Sequence, residues 1–255
     1  TPTSFDATRR RVHKKLNPNP PISDQEREAL NNQLRNLQKK YKNITQSYQE
    51  MIGELNTTQS ELQKLKQQNP DHQYDPAIKQ INQGNLSEAD ALLSKLQTKS
   101  FDDIVRILQA RSRLAKARFD DQQAISLSRQ ALKIAQEQLG GEHPHTASTM
   151  NNLALLYLGQ NRFKEAEALY KNALKIMQTE LGDNHPDTSG TMNNLALLYY
   201  YQNKLKEAKS LFEQALEIMQ TELGDNHPDT ANTMGNLASL YYVQNRLKEA
   251  ESLYK

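Results

Sequence analysis

Leu139-Gly-Gly-Glu-His-Pro-His-Thr146, Leu181-Gly-Asp-Asn-His-Pro-Asp-Thr188 and Leu223-Gly-Asp-Asn-His-Pro-Asp-Thr230 are three copies of one segment, spaced 42 residues apart without a gap. Between them run Met150-Asn-Asn-Leu-Ala-Leu-Leu-Tyr157, Met192-Asn-Asn-Leu-Ala-Leu-Leu-Tyr199 and Met234-Gly-Asn-Leu-Ala-Ser-Leu-Tyr241, each leading through a Gln-Asn pair into a second apolar-periodic segment. Self-similarity at a fixed period marks stacked supersecondary units, none of which can bury its apolar face alone.

Inside one unit, Met150, Leu153, Ala154 and Tyr157 fall on one helical face, and Phe163, Ala166, Tyr170, Ala173 and Leu174 form a matching stripe on a second helix. Ala154, Ala166 and Ala173, with Ala196, Ala208 and Ala215 one period later, let two helices approach closely while the large residues fill the grooves. Pro144, Pro186 and Pro228 suit a first helical turn, and Gly140, Gly182 and Gly224 suit the end of the preceding helix. The reading is all-α: a right-handed helix-turn-helix repeat solenoid.

The large–Leu–small–Tyr order of the first helix and the Ala–aromatic–Ala order of the second resemble the tetratricopeptide repeat. The eight residues beyond the usual 34 and the Leu-Gly-x-x-His-Pro-x-Thr connector are similar to the kinesin light chain and nephrocystin subfamily. Met150, Met192 and Met234 depart from the general pattern, which often has Trp there. Such repeats also occur in bacterial multidomain signalling proteins, and the near-identity of these copies suggests recent duplication, so the resemblance implies a bacterial source.

Residues 139–255 hold the three clear repeats, the last of them cut in mid-helix at Tyr254-Lys255, which implies that the native chain continues. Residues 70–138 read as degenerate repeats: Ala124, Ala131, Leu132 and Ile134 keep register, but Asp121 and Ser128 stand where Phe163 and Tyr170 do, and Asp75-Pro76 shortens an earlier helix. Across 22–69, Leu34, Leu37, Tyr41, Ile44, Tyr48, Met51, Leu55, Thr58, Leu62 and Leu65 alternate spacings of 3 and 4, the a and d positions of a coiled coil. Ser23 and Glu26 make a capping box at its start, and Asn69-Pro70 ends it. Gly53 and Asn56-Thr57-Thr58 weaken the middle, leaving a helical hairpin or docking onto the solenoid as the alternative to an intermolecular rod. Residues 1–21 are a basic arm, Arg9-Arg-Arg11 with His13, Lys14 and Lys15, joined through a Pro-rich stretch and read as solvated.

The formal charge of +2 conceals +4 in residues 1–21 and −4 in residues 139–255. No broad basic face suits nucleic acid. Zero Cys excludes disulfides and thiolate chemistry, and no apolar run is long enough to span a bilayer. A cytoplasmic home fits these features. His143, His185 and His227 belong to the shared connector and read as turn and helix-start residues, not metal ligands; His145 beside His143 lacks a third ligand. With no phosphate loop, nucleophile elbow or converging acid–base pair, no catalytic residue, metal or cofactor is assigned.

Stacked helix pairs line a concave groove with their first helices. In the resembled family, the second Asn of the Asn-Asn-Leu-Ala stretch faces that groove and can bond a peptide backbone. The matching residues are Asn152, Asn194 and Asn236, with Asn151, Asn193, Asn232, Leu155 and Leu197 as neighbours. The expected function is a non-catalytic scaffold binding a protein or peptide segment. The alternatives are a regulatory or sensor module of a larger signalling or defence enzyme, and a motor–cargo adaptor. No Lys or Arg lies on the first helices of the three repeats, which argues against a carboxylate clamp, and against the acidic-peptide preference of kinesin light chains unless Arg111, Arg113, Lys116 or Arg118 contributes.

If residues 23–68 form a homodimeric coiled coil, replacing Leu37 and Ile44 with Lys places unpaired charges in the seam and should convert dimer to monomer in sedimentation. A wild-type chain that sediments as a monomer at micromolar concentration would instead favour the hairpin or docking arrangement.

Overall fold

The computed structural model describes residues 24–68, 74–96 and 100–254, and all their regular structure is helical. The basic arm, the Ser23 cap and His72 lie outside the described residues, as do the side chains of Leu37, Tyr41, Ile44 and Tyr48. The elements are α1 (Asp24–Gln68), α2 (Asp75–Asn82), α3 (Leu86–Ser94), α4 (Phe101–Ala117), α5 (Asp121–Gln138), α6 (Pro144–Gly159), α7 (Phe163–Leu181), α8 (Pro186–Tyr201), α9 (Leu205–Leu223), α10 (Pro228–Val243) and α11 (Leu247–Tyr254).

Helix α1 is unbroken, so the hairpin does not form. Gly53 and the Asn-Thr-Thr stretch are tolerated partly because Thr57 Oγ1 donates to the Gly53 carbonyl at 3.0 Å, which satisfies the hydroxyl inside the helix. Packing divides the chain into residues 1–57 and 58–255, inside α1 rather than at its end. In the first unit the described part is a helix with Leu34, Met51 and Leu55 partly exposed. In the second, Thr58, Leu62 and Leu65 are fully buried. There Arg113 of α4 donates to Thr58 Oγ1 at 3.1 Å and pairs with Glu61, and Lys66 pairs with Asp75 at 2.8 Å. The heptad seam read from Leu34 to Leu65 therefore loses its last three members to packing within the chain.

From α2 onward the helices pair as hairpins, α2–α3, α4–α5, α6–α7, α8–α9 and α10–α11, and each hairpin packs on the next. The first helices also touch directly, α6 with α8 and α8 with α10, so they form one continuous face. The small residues sit where the sequence places them: Ala154, Ala166, Ala173, Ala196, Ala208 and Ala215 have no exposed surface. Tyr170 and Phe212 fill the same niche in successive repeats, both fully buried.

Hairpin turns use a left-handed residue. Asn161, Asn203 and Asn245 have φ of 58°, 60° and 59°, a region that Asn tolerates better than other non-Gly residues. In the turn of the degenerate pair, Phe119 holds φ 62° with its ring 76% exposed, so that turn is strained. The same pair shows how a repeat survives losing its aromatic: Ser112 and Ser128 hydroxyls lie 2.8 Å apart, and Ser112 donates to the Ala124 carbonyl at 2.8 Å. A satisfied hydroxyl pair occupies the niche that Ala154 and Tyr170 fill one repeat later.

Two substitutions probe this packing in one set of melts. Ala196→Leu overpacks a residue with no exposed surface and should cost about 1–3 kcal/mol. Tyr170→Phe removes a buried hydroxyl that has no hydrogen-bond partner, and should gain about 1 kcal/mol. An unchanged Tm for the first, or a loss for the second, would show the helix faces to be misassigned.

Candidate peptide-binding groove

The connectors set the start of each lining helix. His143, His185 and His227 are N-caps whose Nδ1 accepts the backbone N–H of residues 145, 187 and 229 at 3.1, 3.1 and 3.2 Å. Pro144, Pro186 and Pro228 follow at the first helical position, and Thr146 and Thr188 donate to the carbonyls of Gly140 and Gly182 at 2.8 Å. The third connector keeps the histidine cap, but its Thr230 donates to the Met219 carbonyl at 3.4 Å instead. No group of three or more His, Asp or Glu suited to a metal ion occurs among the described residues.

On the face formed by α6, α8 and α10 the asparagines make a ladder between repeats. Asn194 donates to Asn151 Oδ1 at 3.4 Å, Asn236 donates to Asn193 Oδ1 at 3.1 Å, and Asn193 lies 3.5 Å from Asn194 Oδ1. Asn194 and Asn236, expected to face the groove, each spend an amide hydrogen on the neighbouring repeat. The repeat superimposes Asn194 on Asn152, yet the twist between hairpins brings it against Asn151. Asn152 is half-buried and Asn232 exposed, and neither makes a side-chain hydrogen bond among the described residues. Leu155 and Leu197 are half-buried against the core formed by Leu153, Ala154, Leu195 and Leu198.

A cavity of about 260 Å³ opens on this face. Of the expected residues it brings together Asn151, Asn193, Asn194 and Asn232; Asn152, Asn236, Leu155 and Leu197 lie outside its lining. It adds residues that sequence reasoning left out of the site: Asp187, Asp229 and Gly190 at its walls, with Met177 and Met219. Gly190 stands where the neighbouring repeats carry Ser148 and Asn232, and a Cβ there would meet nothing nearer than Met219 Cε at 4.0 Å. The missing side chain is what leaves the space.

The face is negative. Nδ1 of His185 and His227 lies 3.8 and 3.6 Å from the Asp187 and Asp229 carboxylates, and the same nitrogens accept the backbone N–H groups of residues 187 and 229. The arginines Arg111 and Arg113 of α4 and Arg118 at its C-cap do not compensate. Arg111 and Arg118 both bind Asp90, at 2.7 and 3.4 Å, and Arg113 is held by Glu61. Their charges tie α4 to α3 and to the end of α1.

Comparison with known proteins agrees with this geometry. The tetratricopeptide repeat family model matches residues 106–179, 160–221 and 204–255. No curated protein sequence matches. Among solved structures, BtubC (BKLC) from P. vanneervenii is 24% identical over 80% of this chain and 87% of its own, with a TM-score of 0.60. The nearly identical TPR-like repeats of a Podosopora anserina protein described as a kinesin light chain are 24% identical, covering 71% of this chain and 89% of that one, TM-score 0.57. A signal transduction ATPase with numerous domains and a tetratricopeptide repeat sensor, from Pyrococcus horikoshii, is 16% identical over 71% of this chain and 28% of its own, TM-score 0.57. At these identities the likeness is one of fold.

One side chain at the groove's edge titrates abnormally. His145 occupies the position of Asp187 and Asp229 in the first repeat, and its Nδ1 lies 2.6 Å from Asp102 Oδ1 of α4. Burial lowers its pKa below the ordinary value; Asp102 opposes the shift, while Arg106 and His143 add to it. With the folded value depressed, the unfolded chain binds the proton first, so this histidine's contribution to stability is present above about pH 6.5 and lost as pH falls through the folded value. His145→Gln should reduce the fall in urea midpoint between about pH 7.5 and 5.5 relative to wild type. Parallel pH profiles for the two proteins would remove His145 as the cause.

Proposed function

Because the chain belongs to the tetratricopeptide repeat family, we propose that it is a non-catalytic scaffold that holds an extended segment of a partner protein along the face of α6, α8 and α10. The observation that carries the reading is the row of side-chain amides beside an open cavity, on helices each started by a histidine cap and a proline. An amide offers a donor and an acceptor together, so a spaced row of them suits the repeating N–H and C=O groups of a peptide backbone. Asn152 and Asn232 have that capacity unspent, whereas Asn194 and Asn236 use part of theirs to join neighbouring repeats.

The proposal extends to assembly and place. A homodimer would use the heptad positions before Thr58, since Thr58, Leu62 and Leu65 are buried within one chain. No helix of the described residues is long and apolar enough to cross a membrane, which accords with work in the cytoplasm.

The test is a titration. A partner segment captured with the chain as bait, and narrowed to a peptide, should bind the double variant Asn152→Ala, Asn232→Ala about 0.5–1.5 kcal/mol more weakly for each net hydrogen bond lost. The Tm should not move, because neither amide supports the fold. Equal affinity for both proteins would place the partner on another surface and end this reading.

A further inference from the structure

We infer that the cavity beside Gly190 takes a lysine or arginine side chain of the bound segment, so that the groove selects a basic partner. The inference rests on the groove reading and names the chemistry of its ligand. At about 260 Å³ the cavity is smaller than the ~300–1,000 Å³ of small-molecule sites, a size that suits one side chain rather than a whole metabolite. Its lining is divided in character: the thioether side chains of Met177 and Met219 offer apolar contact, while the carboxylates of Asp187 and Asp229 and the amides of Asn151, Asn193 and Asn194 offer acceptors. An aliphatic stem with a cationic head matches both halves.

Charge complementarity selects that occupant over others. Asp187 and Asp229 come from adjacent helices, and no Lys or Arg lies on α6, α8 or α10. The cations of the degenerate unit that the sequence offered to the groove, Arg111, Arg113 and Arg118, are committed to Asp90 and Glu61. An acidic segment would meet unopposed carboxylates, and a neutral one would leave them without a counter-charge. The shape is specific to this repeat, because Ser148 and Asn232 put side chains where Gly190 has none.

The experiment uses the full chain as bait for a displayed library of random dodecapeptides, followed by titration of the enriched peptides at low and high salt. Enriched peptides should carry Lys or Arg, and their affinity should fall as salt rises. Asp187→Asn with Asp229→Asn should weaken them roughly five- to tenfold. Gly190→Leu, which fills the cavity without altering charge, should weaken them as well, while raising helix propensity and so keeping the fold. A second acidic hollow, lined by Asp183, Glu217 and Glu222, supplies the control: Glu217→Gln with Glu222→Gln should change nothing. Enrichment of neutral or acidic peptides, or indifference to both the aspartate and the glycine variants, overturns the inference. Peptides that respond to Asn152→Ala and Asn232→Ala but not to the aspartate variant leave the groove reading standing and sink only this one. Peptides indifferent to both sets overturn the two together.

Discussion

The approach of the two helices within each hairpin is limited by alanine. Ala154 packs in one core with Ala166, and Ala196 in the next with Ala208; these four, like Ala173 and Ala215, have no exposed surface, so the hairpins close tightly. That separation is what lets Tyr170 and Phe212 fill the space behind them, and it fixes how far one hairpin is rotated from the next. The groove inherits its geometry from this contact. Asn194 reaches Asn151, and Asn236 reaches Asn193, only because successive first helices arrive at a constant distance. A single larger residue at the alanine contact would lengthen the ladder bonds, already 3.1–3.4 Å, beyond useful range.

Electrostatics divides the molecule by the same logic. The second helices and the turns are rich in short-range pairs, such as Arg162 with Glu165 at 2.9 Å and Arg246 with Glu249 at 2.9 Å. The same arginines lie over the rings of Tyr157 and Tyr241, each at 4.2 Å, and pin the turn to the end of the preceding helix. Cations therefore serve the turns and the junction with α1. The groove is left with acceptors and carboxylates, a division of labour that weak, exposed surface pairs could not impose on the fold but can impose on a ligand.

The repeat made the fold legible. A 42-residue period with Pro and Gly at set offsets states where helices begin and end, and the alanine and aromatic stripes state which faces meet. The connector histidines were legible too, as helix-start residues, because a residue copied in every unit at a helix boundary is explained by the boundary. The groove was read only in part. Aligning repeats superimposes Asn194 on Asn152, whereas the ladder joins residues 43 apart, an offset created by the rotation between hairpins that no one-dimensional alignment contains. Asp187 and Asp229 were absorbed into the connector pattern, although they face the cavity. In α1 the heptads ran without interruption through Leu65, and nothing in the pattern distinguishes a seam awaiting another helix from one already covered by the same chain.

What distinguishes this groove is carried by a few of the positions at which the repeats differ. Residues 148, 190 and 232 are Ser, Gly and Asn; residues 145, 187 and 229 are His, Asp and Asp; residues 151, 193 and 235 are Asn, Asn and Gly. None of these changes touches the alanine contact, so each is free of the packing constraint that keeps the rest alike. The first set opens one cavity, and the second turns the groove's edge from a histidine engaged by Asp102 to two carboxylates with no cation of their own. The third leaves α10 without the acceptor amide that Asn151 and Asn193 supply on α6 and α8. Variation on the lined face, on a frame whose alanine contacts stay the same, is the arrangement by which a repeat protein changes its ligand without changing its fold.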